Sequence, residues 1–297
     1  MRVMTIPTFF ERAADLRRHF EERVGPSRET PESRFVWDYW HIPGQYIHFR
    51  TPALAVIPPS LVAEFTQALR DWGRRNLGSC RVTVPWLSFY IEGCRQELHS
   101  DVVQGTWSYV FSLTPWDKRQ FTGGETLLAS ERLLDYWPRF DPDSSSEARH
   151  LIDRIPALFN QLCVFDSRLP HGVSVVEGTR DPLQARVALH GWFQEPEPVA
   201  DGSLTLLAAE PAFETLRARW RRHNDELGPF YGKAVWGFSV DERGIVSDVE
   251  LIVENLVPAH GRSAEPSALL TLGETFIQES VFPPSEGRTG ILLPLQG

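Results

Sequence analysis

Cysteine is scarce in this chain of 297 residues, which contains only Cys80, Cys94 and Cys163. Three cysteines cannot all pair, and no two of them have the Cys-x-x-Cys spacing. We therefore expect neither a disulfide framework nor a zinc ribbon. Reduced thiols of this kind are typical of a cytoplasmic protein, and the cytoplasm is the location that we expect.

Positive charge is also in short supply. The chain has 30 Lys and Arg against 39 Asp and Glu, a formal net charge of -9, so the basic footprint of a nucleic-acid-binding protein is missing. No run approaches the roughly twenty apolar residues of a membrane-spanning helix. The N-terminus shows no apolar stretch that ends in a cleavage site. We expect a protein without a secretory signal that binds neither nucleic acid nor membranes.

Aromatic residues, in contrast, are plentiful. The 10 Trp and 18 Phe indicate a large core or an aromatic-lined cavity. Residues 1–196 are predicted to form one domain, with helices over 8–25 and from Ser60 and short strands over 36–57. Its core, at about 82–194, consists of short apolar or alternating runs between turn residues. That pattern is typical of a β-sandwich or barrel.

The last third of the chain has a different pattern. Residues 197–228 are predicted to form a linker, "QEPEPVADGS", and a helix. Residues 229–297 are predicted to form a small α+β domain, with two strands around "DERG", a helix near 268–280 and a final strand "TGILLPL". A polar stretch around 140–156 is predicted to be a loop and a helix.

One short motif raises the question of a metal site. The chain contains three His-x-acid pairs, a number that chance alone explains: His19/Glu21, His99/Asp101 and His223/Asp225. Residues i and i+2 share one face of a strand, whereas on a helix they lie about 200° apart and cannot hold one ion. His19 and His223 fall in helical patterns, so only His99 and Asp101, at the edge of the strand-rich region, remain as candidates.

A third metal ligand has to come from elsewhere in the chain. His171 follows one apolar strand, "NQLCVFDS", and begins another. Two His and one carboxylate on one side of a metal leave three positions open, which is the facial triad of non-heme Fe(II) oxygenases. The residues therefore predict an iron site made of His99, Asp101 and His171.

Four segments, in this order, make residues 82–194 resemble the 2-oxoglutarate- and Fe(II)-dependent dioxygenases, in particular the prolyl-4-hydroxylase-like branch. They are "LSFYIEGCRQELHSD", "GGET", "NQLCVFDSRLPHGV" and "ARVALHGWF". Each is weak alone, and together they are specific. The resemblance implies a mainly β protein with flanking helices, built on a double-stranded β-helix (jelly-roll) core with the metal at one open end, followed by the small α+β domain.

The same resemblance implies roles for individual residues. His99, Asp101 and His171 would be the iron ligands, Arg186 would bind the distal carboxylate of 2-oxoglutarate, and Tyr90 would hydrogen-bond this cosubstrate. A planar guanidinium pairs with a carboxylate through two hydrogen bonds and stays charged when buried. Four further residues lie near the expected mouth of the site and could meet substrate: Trp107, Trp116, Arg119 and Arg168.

Two of these roles have alternatives. Arg180 is the rival of Arg186, because some relatives carry the arginine soon after the distal histidine. Arg186 is favoured because it opens a strand six residues before Trp192, whereas Arg180 lies in the turn "EGTRDP". Tyr90 could equally be a core aromatic with its hydroxyl at the surface.

The resemblance implies an enzyme that hydroxylates an unactivated carbon of a small-molecule or peptide substrate, peptidyl or amino-acid-like, with Fe(II), O2 and release of succinate and CO2. Asp101 occupies the position that halogenating relatives fill with a small residue, which favours hydroxylation; desaturation and epoxidation stay open. Two alternatives are a non-catalytic jelly-roll protein that uses the metal structurally or as a sensor, and a cupin-type metalloenzyme that does not use 2-oxoglutarate.

Residues 229–297 weakly resemble the C-terminal unit of TonB-like proteins, through "FSVDERGIVSDVEL" and "FPPSEGRTGILLPL". Units of that kind usually contact other proteins. The resemblance implies a homodimer or a protein partner through the C-terminal domain.

Overall fold

The computed structural model describes residues 3–25, 37–130, 151–259 and 265–297. It divides into two compact units, the first made of the chain up to Leu69 with Val82–Gln194, the second of Arg70–Arg81 with Glu195–Gly297. The domain boundaries taken from the sequence stay a prediction. Most of the loop and helix predicted around 140–156 lies outside the described residues.

The first unit is an 11-stranded sheet that curls on itself. Its strands are β1 (Val3–Ile6), β2 (Asp38–Ile42), β3 (Tyr46–Pro52), β4 (Trp86–Tyr90), β5 (Arg95–His99), β6 (Trp107–Ser112), β7 (Thr126–Ala129), β8 (Ile152–Ile155), β9 (Leu162–Asp166), β10 (His171–Val173) and β11 (Arg186–Phe193). The helices in this part of the chain are α1 (Ala13–Val24) and α2 (Pro59–Leu77).

The strand order identifies the fold. It runs β1-β9-β6-β11-β4-β3-β5-β10-β7-β8, and β2 pairs with β3. Strands β4 to β11 thus form two four-stranded antiparallel sets, β9-β6-β11-β4 and β5-β10-β7-β8, and the chain passes back and forth between them. This is the order of a jelly roll, so the predicted fold class is confirmed.

Helix α2 shows why these sequences form these elements. The apolar side chains of Leu61, Phe65 and Leu69 recur every four residues and are 0–2% exposed, because that spacing keeps them on one helix face. Full burial of each Leu or Phe side chain contributes about 1.5–3 kcal/mol to stability. The helix predicted from Ser60 is therefore present, beginning at Pro59, and one of its faces is apolar and buried.

The second unit pairs a small sheet with two helices. Its sheet has the order β12 (Val199–Gly202), β17 (Thr289–Gln296), β14 (Lys233–Val240) and β15 (Val246–Glu254), and a separate ribbon pairs β13 (Phe230–Tyr231) with β16 (Val257–Pro258). The two predicted strands around "DERG", the helix and the final strand are all present, and the short strands β13 and β16 were not predicted; the TonB likeness remains untested. Among the described residues, no helix is long and apolar enough to cross a membrane. The two helices are α3 (Leu206–Leu227) and α4 (Pro266–Gln278).

Candidate functional site

Strand pairing brings the three predicted metal ligands together. Strand β5 ends at His99, β10 begins at His171, and these two residues are directly paired in the antiparallel ladder. Asp101 follows two residues after β5, where its backbone N–H donates to the carbonyl of Ser167 at 3.0 Å. One ligand atom from each of His99, Asp101 and His171 lies within 4.8 Å of the other two. The three residues form one cluster.

Backbone carbonyls orient both imidazole rings. Nδ1 of His99 lies 2.9 Å from the carbonyl oxygen of Glu97, and Nδ1 of His171 lies 2.9 Å from that of Leu169. A carbonyl can only accept, so each Nδ1 donates and a neutral ring presents the Nε2 lone pair. Both Nε2 atoms face Asp101, at 3.7 and 3.1 Å from its carboxylate oxygens. Lone pairs that converge on a carboxylate in this way suit a cation between them.

The Asp101 carboxylate is held in its ionised form. Burial opposes ionisation, but when the imidazoles are protonated the hydrogen bond and charge of His171, the hydrogen bond from the indole N–H of Trp192 and the charge of His99 outweigh it and lower the pKa of Asp101 to about 2. When the rings are neutral, the Trp192 hydrogen bond remains, and a cation bound by the two Nε2 lone pairs would take the place of the ring charges. Trp192 Nε1 donates to Oδ2 at 2.9 Å. Two imidazole nitrogens and one ionised carboxylate on one side of a site fit Fe(II), with three positions left open.

A cavity of about 270 Å³ opens beside the cluster. Apolar walls with a few convergent polar groups are usual for small-molecule sites, and this cavity is unusually polar. Strands β3, β4 and β11 contribute several of its polar side chains: Tyr46, His48, Arg50, Tyr90, Arg186 and His190.

Arg186 is buried in this cavity without a counter-ion. Its side chain is 2% exposed, its Nε donates to the carbonyl of Gly124 at 2.8 Å and its Nη2 to Oγ1 of Thr126 at 3.2 Å. Burial lowers the pKa of this guanidinium. Among the described residues it makes no ion pair. A buried cation without a carboxylate is destabilising, so this one suits an anionic ligand.

Tyr90 is the ladder partner of Arg186. The Arg186 Cζ lies 4.7 Å from the Tyr90 ring centroid, and the Tyr90 hydroxyl donates to Oε1 of Gln96 at 3.0 Å. Burial raises the pKa of Tyr90 to about 12, so its hydroxyl stays protonated and can donate. Tyr90 therefore lines the cavity with a buried hydroxyl, whereas a surface hydroxyl was the alternative.

The rival arginine lies elsewhere. Arg180 is exposed in the loop before β11 and does not line the cavity, whereas Arg186 does.

The four residues expected near the mouth of the site do not line the cavity either: Trp107, Trp116, Arg119 and Arg168. Of these, Arg119 lies with its Cζ 3.9 Å from the Trp116 ring centroid, and Arg168 forms an ion pair with Asp166. Both arginines therefore contact residues close to them in sequence, and sequence spacing alone could not distinguish them from residues of the site.

Sequence reasoning missed one whole wall of the cavity. Tyr46, His48 and Arg50 alternate along β3 and so share one face. They lie before residue 82, outside the segment that carries the recognisable motifs. The available signal was the alternation in "YIHFR", which predicts a strand face but not what that face meets.

Searches with family models and against curated proteins find no match. A search of solved structures finds proteins whose folds are similar to part of this chain. A prolyl-4-hydroxylase from Pseudomonas putida is 18% identical, over 65% of this chain and 92% of that one, with a TM-score of 0.41. HygX from Streptomyces hygroscopicus, with nickel and 2-oxoglutarate bound, is 12% identical over 64% and 81%, with a TM-score of 0.41. The non-heme alpha ketoglutarate dependent epimerase SnoN is 9% identical over 64% and 76%, with a TM-score of 0.44.

Proposed function

We propose that the first unit is a 2-oxoglutarate-dependent oxygenase that holds Fe(II) through His99, Asp101 and His171 and hydroxylates an unactivated carbon of its substrate. One observation carries the proposal: the metal-binding cluster and the buried, unpaired guanidinium of Arg186 line the same cavity. A metal with open positions beside a buried cation is what a chelating dicarboxylate needs.

Arg186 is the proposed anchor of the cosubstrate. It would pair with the distal carboxylate of 2-oxoglutarate through two parallel hydrogen bonds, which a guanidinium forms and an ammonium cannot. Gly124 and Thr126 already take hydrogen bonds from Nε and Nη2, which fixes the plane of the fork. Tyr90, whose hydroxyl stays protonated, would have to turn its single O–H from Gln96 to the cosubstrate in order to donate to it.

When bound, Fe(II) and 2-oxoglutarate would supply the oxidation by dioxygen, with release of succinate and CO2, that no side chain can perform. The protein's own contribution is to orient. The carbonyls of Glu97 and Leu169 hold the two imidazole rings, and Trp192 holds the Asp101 carboxylate. Because Asp101 fills the ligand position that a halide would need, hydroxylation is the favoured outcome.

The alternative functions account for fewer of these features. A structural or sensory metal site, or a cupin-type site without 2-oxoglutarate, needs the three metal ligands but gives Arg186 no reason to be buried without a counter-ion. A peptidyl or amino-acid-like substrate, a cytoplasmic location and a homodimer or protein partner through residues 229–297 stay predictions.

The visible spectrum of the metal–keto-acid chelate tests the proposal. The protein is loaded with Fe(II) and 2-oxoglutarate without oxygen, and a weak charge-transfer band that needs both components is expected. His171→Ala should abolish the band. Arg186→Gln should raise the 2-oxoglutarate dissociation constant about 30-fold or more, because removing one partner of a buried charge pair costs about 2–5 kcal/mol.

Two variants serve as matched controls. His223→Ala removes a histidine of a helical His-x-acid pair, and Arg180→Gln removes the exposed rival arginine; both should leave the band and the 2-oxoglutarate affinity unchanged. If the wild-type protein binds iron but shows no band, the cosubstrate assignment is wrong and the structural-metal or cupin function takes its place.

A further inference from the structure

A wall of the cavity comes from a strand that is not one of the eight jelly-roll strands. Strand β3 lies between β4 and β5 in the sheet order, with Arg50 paired to Ser88 and Tyr46 paired to Gln96. Because side chains alternate along a strand, Tyr46, His48 and Arg50 all face the cavity. None of these three is needed for the metal or for the Arg186 fork.

Arg50 presents a guanidinium that lies against two tryptophan rings and has no polar partner among the described residues. Its Cζ lies 3.4 Å from the Trp40 ring centroid and 4.5 Å from the Trp86 ring centroid. Among the described residues it makes neither an ion pair nor a hydrogen bond, and its Nε is buried without a partner. Aromatic rings do not satisfy the in-plane N–H groups of a guanidinium, and the fork that these groups form matches a carboxylate.

His48 adds a second group that lacks a partner. It is 1% exposed, and neither ring nitrogen has a hydrogen-bond partner. Its ring stacks on Tyr90, with centroids 5.3 Å apart and planes 24° apart. Buried polar groups in folded proteins are almost always hydrogen-bonded. Two unpaired nitrogens on the cavity wall, two residues from an unpaired guanidinium, therefore indicate a polar ligand.

The charges in the cavity suggest the sign and size of the charge on that ligand. Arg50, Arg186 and a divalent metal carry four positive charges, while Asp101 and the two carboxylates of 2-oxoglutarate carry three negative ones. Among these groups one positive charge remains, and it lies on Arg50, which feels the charges of Asp38, its partner in the β2–β3 ladder, and of Asp101 but forms an ion pair with neither. In a partly dehydrated cavity an uncompensated charge is costly, and a monoanion would neutralise it.

We propose that the substrate is a carboxylic acid whose carboxylate pairs with the edge of Arg50, with His48 as a further hydrogen-bond partner. This inference rests on the proposed oxygenase function and names the substrate class for the same site. Each arginine would then bind one carboxylate: Arg186 the distal carboxylate of 2-oxoglutarate, and Arg50 the carboxylate of the substrate. The carboxylate would fix one end of the substrate on the β3 wall.

Matched pairs of ligands test this division. A panel of monocarboxylic acids is compared with the corresponding primary amides, which have the same shape without the charge. Binding is measured without oxygen, by calorimetry and by the change in the visible band of the Fe(II)–2-oxoglutarate protein. The acids that bind should do so about 30-fold or more tightly than their amides, as expected for a buried charge pair.

Variants assign the effect to Arg50. Arg50→Gln should remove the preference for the acid while changing the 2-oxoglutarate dissociation constant less than twofold, and Arg50→Lys should restore only part of the preference. Arg119→Gln is the matched control, because Arg119 also stacks on a Trp, Trp116, but lies outside the cavity. It should behave as wild type, and circular dichroism should show the same fold for all variants.

The outcomes separate this inference from the proposed function. If the visible band forms but no acid binds more tightly than its amide, or if Arg50→Gln keeps the preference, the inference is wrong and the oxygenase proposal stands. Tighter binding of phosphate monoesters than of any carboxylic acid would also overturn it. If the band does not form, the oxygenase proposal fails, and the calorimetric comparison of acids and amides, which needs no chelate, still decides whether Arg50 binds a carboxylate.

Discussion

The indole N–H of Trp192 donates a 2.9 Å hydrogen bond to Oδ2 of Asp101, the same oxygen that lies 3.1 Å from Nε2 of His171. Trp192 belongs to β11, whose first residue is Arg186. Strand β11 therefore supplies both the proposed cosubstrate anchor, Arg186, and the group that orients a proposed metal ligand, Trp192. The two are six residues apart because an even spacing keeps both side chains on the cavity face of the strand.

We expect Trp192→Phe to weaken metal binding about 10- to 100-fold, the usual effect of losing a hydrogen bond to a metal ligand. Phenylalanine keeps most of the aromatic volume, so the fold should persist. The measurement is the dissociation constant for Fe(II) or Ni(II) by calorimetry without oxygen. Trp116→Phe, outside the cavity, is the control and should bind as wild type; equal affinities for the two variants would show that the hydrogen bond is irrelevant.

The turn before β7 yields a prediction about stability. Gly123 has φ +74°, and a Cβ there would lie 1.7 Å from the carbonyl oxygen of Val175. Gly93 has φ +81°, with nothing within 4 Å of an added Cβ. Gly93→Ala should cost about 1–2 kcal/mol, for the left-handed backbone alone.

Gly123→Ala should cost about 1–3 kcal/mol more, because the clash adds to the backbone cost. Urea unfolding of the two variants and the wild type gives the free energies of unfolding, and their differences give the backbone cost and the cost of the clash. The two variants separate the two reasons why a position requires glycine: a left-handed backbone at Gly93, and the same backbone with a steric clash at Gly123. Equal destabilisation by the two substitutions would mean that the turn relaxes around the new methyl group.

His48 should make stability depend on pH. Burial, then the charges of Arg50, Arg186 and His99, lower its pKa from 6.5 to about 3. Between these values the unfolded chain binds a proton at this position and the folded chain does not. The free energy of unfolding should therefore fall as pH is lowered, by about 1.4 kcal/mol per pH unit from this residue.

His48→Phe and His48→Gln remove the titrating group. Relative to either variant, the wild type should lose stability as pH falls from about 6.5 towards 3, and the difference should level off below that range. Chemical unfolding at a series of pH values measures this. If wild type and variants run parallel over the whole range, the imidazole is protonated inside the fold and our view of this wall is wrong.

The sequence predicted the parts of the site that depend on local rules. The His99-x-Asp101 spacing and the position of His171 at a strand start are each read within a few residues, although β5 ends at His99 and Asp101 follows the strand instead of lying on it. The helix from Ser60 and the two strands, helix and final strand predicted within residues 229–297 follow from periodicity in the same way, and the structure contains each of them.

The substrate wall was decided by tertiary structure alone. Alternation in β3 predicts that Tyr46, His48 and Arg50 share a face. Nothing local says that β3 lies between β4 and β5, or that the Arg50 guanidinium lies against Trp40 and Trp86. Strand partners are chosen by packing between residues distant in sequence. The sequence by itself therefore determined which residues could bind a metal, and only the fold decided which unpaired cations share the cavity with them.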